Sequence, residues 1–372
     1  MDRPFDDLTR ADPAEDIAPL GEGAPVEWRE APALDKQTRV SLRLREREVA
    51  ARHMADPRQM RIYTVVTLGC FGVWLAMFPL TMLHVVPIWP CFLFATFIAA
   101  VGYVPSHEAM HHNIGRPGTR YHVWNEAVGQ VATLILTFPF SMARRMHMHH
   151  HYHCNYPVMD PDYTDGASGP IMAWVKTWLN RQPGADGSIH HYKRCLERIG
   201  TPAAKVALRD TMLLQLGTMA FLFALAWSGY AFVACFLFWL PRHLGLSYIR
   251  YWLSWAPHHP RDGLDRYTNT RVFRTWAGHY LSLGMQYHIV HHLYPGIPNH
   301  ATKWAYQEMK PILDQRGVDC SALSPCSYPR LPAGASPSSN SATLPRSRTS
   351  PMCHALTVGS TLDREVTTTV VL

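Results

Sequence analysis

The residues of this chain best equipped to do chemistry are its histidines. There are 22 in 372 residues, and 16 of them fall in two windows, 107–153 and 258–300. They group as His107-Glu108-Ala109-Met110-His111-His112, His147-Met148-His149-His150-His151 and His288-Ile289-Val290-His291-His292. Spacings of three and four residues put side chains on one face of a helix. Each group can therefore aim two or three imidazoles at a common centre. Neutral imidazole is a ligand for zinc, copper, iron and nickel. About eight converging imidazoles exceed what one tetrahedral ion takes, which argues for two metals.

Two other chemistries fit part of the pattern. His107-Glu108-Ala109-Met110-His111 matches H-E-x-x-H, with two zinc ligands and Glu108 as the base of a membrane metalloprotease. That reading leaves the second and third groups without a role. A metal transporter needs polar or ionisable ligands inside its spans, and the predicted spans contain no Asp, Glu or Lys.

Apolar runs supply the framework for these groups. Ile62 to Leu83 is long enough to span a bilayer. A break from His84 to Pro90 leads into a second span from Cys91 to Pro105, closing a hairpin. A second hairpin runs from Thr211 to Trp227, turns at Ser228-Gly229-Tyr230, and returns from Ala231 to Tyr251. Val128 to Phe140 is too short to cross, contains Pro139, and reads as re-entrant or interfacial. Ile171, Trp174, Val175, Trp178 and Leu179 mark one face of an interfacial helix. The expected fold is an all-α integral membrane protein with about four transmembrane helices in two hairpins and a helical cap carrying the histidines. The mean hydropathy of −0.11 hides these runs because polar stretches dilute them.

Charge sets the expected orientation. The turns at 84–90 and 228–230 carry no Lys or Arg, while Arg58, Arg61, Arg116, Arg144, Arg145 and Lys193 lie on the other side. The positive-inside rule makes that side cytoplasmic, with both termini and all three histidine groups on it. The net charge of +7 sits beside apolar runs, which suits anionic lipid head groups better than nucleic acid. Residues 1–35 are acidic and Pro-rich, read as disordered, and show no signal peptide. Residues 36–56 read as a basic helix, either on the membrane surface or as a solvated linker. The catalytic region is expected over 36–325, followed by a disordered Ser/Pro/Thr-rich tail at 326–372. Eight cysteines form no C-x-x-C pair and read as free thiols in a reducing compartment.

Three histidine groups in this order, with two hairpins, resemble the membrane fatty acid desaturase superfamily, which includes carotenoid hydroxylases and ketolases. The resemblance covers residues 60–325. It implies two non-haem iron ions, O2 as co-substrate, and ligands at His107, His111, His112, His147, His150, His151, His288, His291 and His292. It also implies an isolated histidine between the second hairpin and the third group. His258 fits that place, with His259 and His279 as competitors. His150-His151-Tyr152-His153-Cys154-Asn155, followed by Asp160-Pro161-Asp162, is similar to bacterial carotenoid hydroxylase-like members. That pattern usually has Thr at the place of Cys154 and acidic residues at those of Tyr156 and Val158. Asp160 and Asp162, with Asn155 beside them, either support ligand imidazoles from behind or form an Asp-Pro-Asp turn. The implied reaction is desaturation of a fatty acyl chain, with hydroxylation or ketolation of a carotenoid ring as the rival. The chain shows no haem domain, no Gly-rich dinucleotide fingerprint and no four-cysteine cluster spacing. Electrons are therefore expected from a separate ferredoxin or cytochrome b5 type donor with its reductase, docked on the basic face.

Overall fold

Asp35 opens the first helix, its carboxylate accepting from the Thr38 amide at 3.0 Å as an N-cap. The computed structural model describes residues 34–181, 188–275 and 278–318, and these contain helices but no strand. The expectations for 1–33 and for the tail at 326–372 lie outside the described residues.

After α1 (Lys36–His53) come α2 (Arg61–Met82), α3 (Ile88–Val101) and α4 (Tyr103–Met110). The sequence reading stops the second span at Pro105, but helix continues to Met110 and makes one apolar run of 23 residues from Ile88. Pro105 falls in the first turn of α4, where its missing N–H breaks no helical bond. Next are α5 (His122–Leu134), α6 (Phe140–His153), α7 (Pro170–Leu179) and α8 (Ser188–Ile199). Val128–Phe140 is thus not one element. It is divided between α5, a bend ending at Pro139, and the start of α6.

The longest run is α9 (Pro202–Leu225), a turn at Ala226–Tyr230, then α10 (Ala231–Ala234), α11 (Leu240–Ile249) and α12 (Ala256–His258). Wider π-helical turns at Cys235–Trp239 and Arg250–Trp255 join the last three. This 57-residue run doubles back on itself at Gly229, whose φ is 89°. The rings of Phe221 and Phe238 are 6.4 Å apart, whereas a straight helix would separate them by roughly 25 Å. α13 (Gly278–Leu281), α14 (His288–Leu293) and α15 (Thr302–Gln315) complete the described chain. Among the described residues three helical runs, Arg61–Met82, Ile88–Met110 and Pro202–His258, are long and apolar enough to cross a membrane.

These runs pack through aromatic and small residues. Trp74 is buried, meets Phe78 and Phe238 at 5.2 and 5.7 Å, and donates its Nε1–H to Leu237 O at 2.9 Å. Gly245 lets α11 lie against α3, since a Cβ there would stand 2.6 Å from the Ala99 carbonyl carbon. Gly245→Ala should therefore destabilise the fold by about 1–3 kcal/mol, the usual cost of overpacking. Thermal unfolding in detergent reads this, and an unchanged midpoint would show the contact to be slack.

α1 corrects one of the two expectations for it, that of a solvated linker helix. Leu42, Val49 and Ala50 are buried against Ile289, Met309 and Leu313 of α14 and α15. Glu46 on the same face is fully buried, pairs with Arg316, and accepts from Tyr267 and Tyr294 hydroxyls at 3.0 and 3.2 Å. This charge is paired and hydrogen-bonded, the condition under which burial is tolerated. α7 keeps Ile171, Val175 and Leu179 exposed, as an interfacial helix requires.

Candidate metal centre

Four helices bring the histidines together. α4 carries His107, with His111 just past its end; α6 carries His147, His150 and His151; α14 carries His288, His291 and His292; α12 ends on His258. They divide into two sets. His107, His111, His147 and His291 place one ring nitrogen each within 4.8 Å of one another, and so do His150, His258, His288 and His292. His151 completes the first set, its Nε2 lying 2.9 Å from His291 Nε2 and 3.1 Å from His147 Nε2.

Helix periodicity explains the division. Residues i and i+4 share a row along a helix, and i+3 sits to the side. His147 and His151 therefore share the first set while His150 goes to the second. On α14, His288 and His292 share the second set while His291 crosses to the first. The sets abut, with the His151 and His292 rings stacked 4.2 Å apart.

The nitrogens stand where ligands of one ion would stand. His111 and His147 Nε2 are 2.8 Å apart, His150 and His258 Nε2 3.2 Å, and His288 and His292 Nε2 3.1 Å. Two ligands about 2.0–2.1 Å from one ion, at right angles, are separated by roughly 3 Å. Hydrogen bonding does not account for the cluster. His147 Nε2 has both His111 and His151 Nε2 within 3.1 Å, and one ring nitrogen offers a single proton or a single lone pair. His107 Nε2 is buried with no hydrogen-bond partner at all. Burial, reinforced by neighbouring imidazoles, holds His111, His147, His151, His288, His291 and His292 well below the usual histidine range. That keeps them neutral, the form that binds metal. The donor set fits two metal ions.

Behind His150 stands Asp160. Its Oδ1 lies 2.8 Å from His150 Nδ1, which leaves Nε2 for the centre. The carboxylate is fully buried and also accepts from the Asn155 amide at 2.8 Å and from Arg261 at 3.4 Å. Burial alone would raise its pKa, but His150 and Arg261 hold it below the usual carboxylate range. Asn155 supports His258 indirectly. Its Nδ2 donates to Asn269 O at 2.9 Å, and that carbonyl lies 3.2 Å from His258 Nδ1. Cys154 packs behind the same ring, 3.3 Å from Nδ1. Asn269 and Arg261 carry no sequence signal for these roles.

Several expectations need correction. His112 is not with the other imidazoles; it sits near His122 and Glu126. The helix has ended by His111, and His112 takes a φ of 57°, which swings it off the helix face. Asp162 touches no ligand histidine and accepts instead from the Tyr192 hydroxyl. His259 stacks on Trp255, and His279 lies near Tyr287, so of the three isolated histidines only His258 joins a set. Glu108 is not poised as a base. Its Oε2 accepts from Asn113 and its Oε1 from the Asn299 amide, each at 2.7 Å. His191, which the sequence places outside the groups, lies 2.8 Å from Asp160 O and buttresses the same loop.

Apolar helices of crossing length end on two abutting sets of imidazoles, each of which could hold a metal ion. The chain belongs to the fatty acid desaturase family, whose model, described as "Fatty acid desaturase", matches residues 83–324. Members of this family are membrane oxidoreductases and generally di-iron, which the paired histidine sets accommodate. No curated protein matches the chain.

Proposed function

We propose that this protein is an O2-dependent di-iron oxidoreductase that desaturates a fatty acyl chain drawn from the bilayer. The observation that carries the acyl reading is a cavity of about 100 Å³ that touches His107, His147, His150 and His288, and so reaches both histidine sets. Leu136, Phe138, Leu246, Ile249 and Leu253 form its apolar walls. This space is well below the roughly 300–1,000 Å³ of pockets for drug-sized molecules. Beside the centre it has room for a few carbons of a single chain and not for a cyclised carotenoid end group. Bound iron supplies O2 activation strong enough to remove hydrogen from an unactivated C–H bond. The protein's part is positional. The buried imidazoles hold their neutral form, Asp160 and the Asn269 carbonyl fix the rings of His150 and His258, and the apolar wall excludes water and confines one carbon beside the centre. Electrons come from a separate donor on the basic face.

The test is expression in two hosts, one making only ordinary lipids and one also accumulating β-carotene. New unsaturated acyl chains in both are expected. Unchanged acyl chains with new oxygenated carotenoids would overturn the acyl reading and favour the carotenoid ring.

The doubling back at Gly229 supports four crossings in two hairpins, with the histidine sets and both termini cytoplasmic by the charge rule. Cysteines introduced as Val85→Cys and Ser228→Cys should react with an impermeant thiol reagent from the outside of intact cells. Labelling of both only after the membrane is opened would reverse the orientation.

A further inference from the structure

A second groove, of about 520 Å³, lies between α2 and the start of α5. No histidine of either set lines it. Arg61, Thr64, Val65 and Leu68 form its α2 wall, one stripe along a helix face. Arg120, Tyr121 and Trp124 form the opposite wall. Val65 and Trp124 are exposed. α2 is 22 residues long, which is roughly 33 Å, about the thickness of a bilayer's hydrocarbon core. Arg61 is its first residue and so stands at head-group depth. Tyr and Trp are the aromatic types enriched at that depth. Further along α2, Gly72 continues the stripe of Arg61, Val65 and Leu68, with open space where a Cβ would stand.

Two like charges are held together at the head-group end of this groove. Arg61 Nη2 and Arg120 Nη2 both donate to the Tyr121 hydroxyl, at 2.9 and 2.8 Å. Both guanidiniums also lie over the Tyr121 ring, 5.6 and 4.9 Å from its centre. Their donated hydrogen bonds hold the phenol below the usual tyrosine range. The lining residues include no Asp or Glu. Among the described residues neither arginine pairs with a carboxylate. One neutral oxygen uses a single Nη of each guanidinium, and the remaining N–H groups can receive an anion. The planar fork of Arg matches phosphate oxygens in particular.

We infer that this groove binds one anionic phospholipid, its phosphate held by Arg61 and Arg120 and an acyl tail laid along Val65, Leu68 and Gly72. The lipid is a resident of the groove rather than the substrate, because the groove reaches no metal-binding histidine. It bridges α2 and the segment between α4 and α5, which starts at His111. It therefore braces the first histidine group from outside. Such a site is independent of which substrate the metal centre oxidises.

The test titrates the full chain, in a neutral detergent, with dioleoylphosphatidylglycerol and separately with dioleoylphosphatidylcholine. Bound lipid is counted by native mass spectrometry. One phosphatidylglycerol per chain is expected, with an affinity at least tenfold above that of phosphatidylcholine. Arg61→Gln with Arg120→Gln should lower that affinity at least tenfold, and Arg61→Lys with Arg120→Lys should retain most of it. Arg58→Gln with Arg116→Gln removes the same charge outside the groove and should leave binding unchanged. Equal binding of the two lipids by the unaltered chain would overturn the site. So would full binding by Arg61→Gln with Arg120→Gln, or an equal loss in the two glutamine pairs. Displacement of the lipid by an equal concentration of inorganic phosphate would show the arginines taking the anion without the groove, and would overturn a lipid as the occupant.

Discussion

His291→Ala should lower turnover by more than about 100-fold, beyond the 10–100-fold typical of residues that only support a ligand. His291 is the one histidine of α14 that crosses to the first set, and its Nε2 lies 2.9 Å from that of His151. Without it that set loses the only donor arriving from the third sequence group. Iron content should fall with activity. His112→Ala, although it alters the neighbour of a ligand, should keep both, because His112 faces His122 and Glu126. Iron measured per chain alongside acyl product decides the matter. A dead His112→Ala with an active His291→Ala would mean the sets are drawn wrongly.

Asp160→Asn is expected to have the next largest effect, a 10–100-fold loss of metal affinity. The substitution keeps the shape and removes the charge. Asn can still offer one oxygen to His150 Nδ1, but its amide nitrogen then replaces Oδ2 and faces both the Asn155 amide and Arg261, two donors that now lack that acceptor. A buried donor left unpaired costs about 1–3 kcal/mol. The loop carrying Asp160 should loosen behind His150, and the second set should release metal first. Asp162→Asn is the control, since Asp162 touches no ligand histidine and should retain metal normally. Titration with a chelator, following iron retained per chain, measures both. Equal retention by Asp160→Asn and the unaltered protein would remove Asp160 from its supporting role.

The parts of this site that were legible in the sequence are those governed by short-range periodicity. The spacing of His147, His150 and His151, and of His288, His291 and His292, places three imidazoles per helix turn without reference to any other residue. The limit of that logic is visible at His112. Periodicity predicts a face only while the helix lasts, and this helix is over by His111. The apolar hairpins were legible for the same reason, and their exact ends were not. Pro105 reads as a stop, yet it sits in a first turn where it is tolerated.

What the sequence hid depends on partners far apart in the chain. Glu46 looks like one more charge on a basic helix, but its partners Arg316, Tyr267 and Tyr294 lie more than 200 residues away. Asp160 and Asp162 read alike in an Asp-Pro-Asp turn, and only packing gives one to His150 and the other to Tyr192. Asn269 and Arg261 serve the site through a carbonyl and a guanidinium that no motif marks.

The most direct test of the account is metal analysis of the purified full chain, with Mössbauer spectroscopy of protein grown on ⁵⁷Fe. Two histidine sets with abutting rings lead to an expectation of two irons per chain, magnetically coupled, and to loss of that coupled signal in His291→Ala. A single zinc per chain, or iron showing no coupling, would contradict the paired centre.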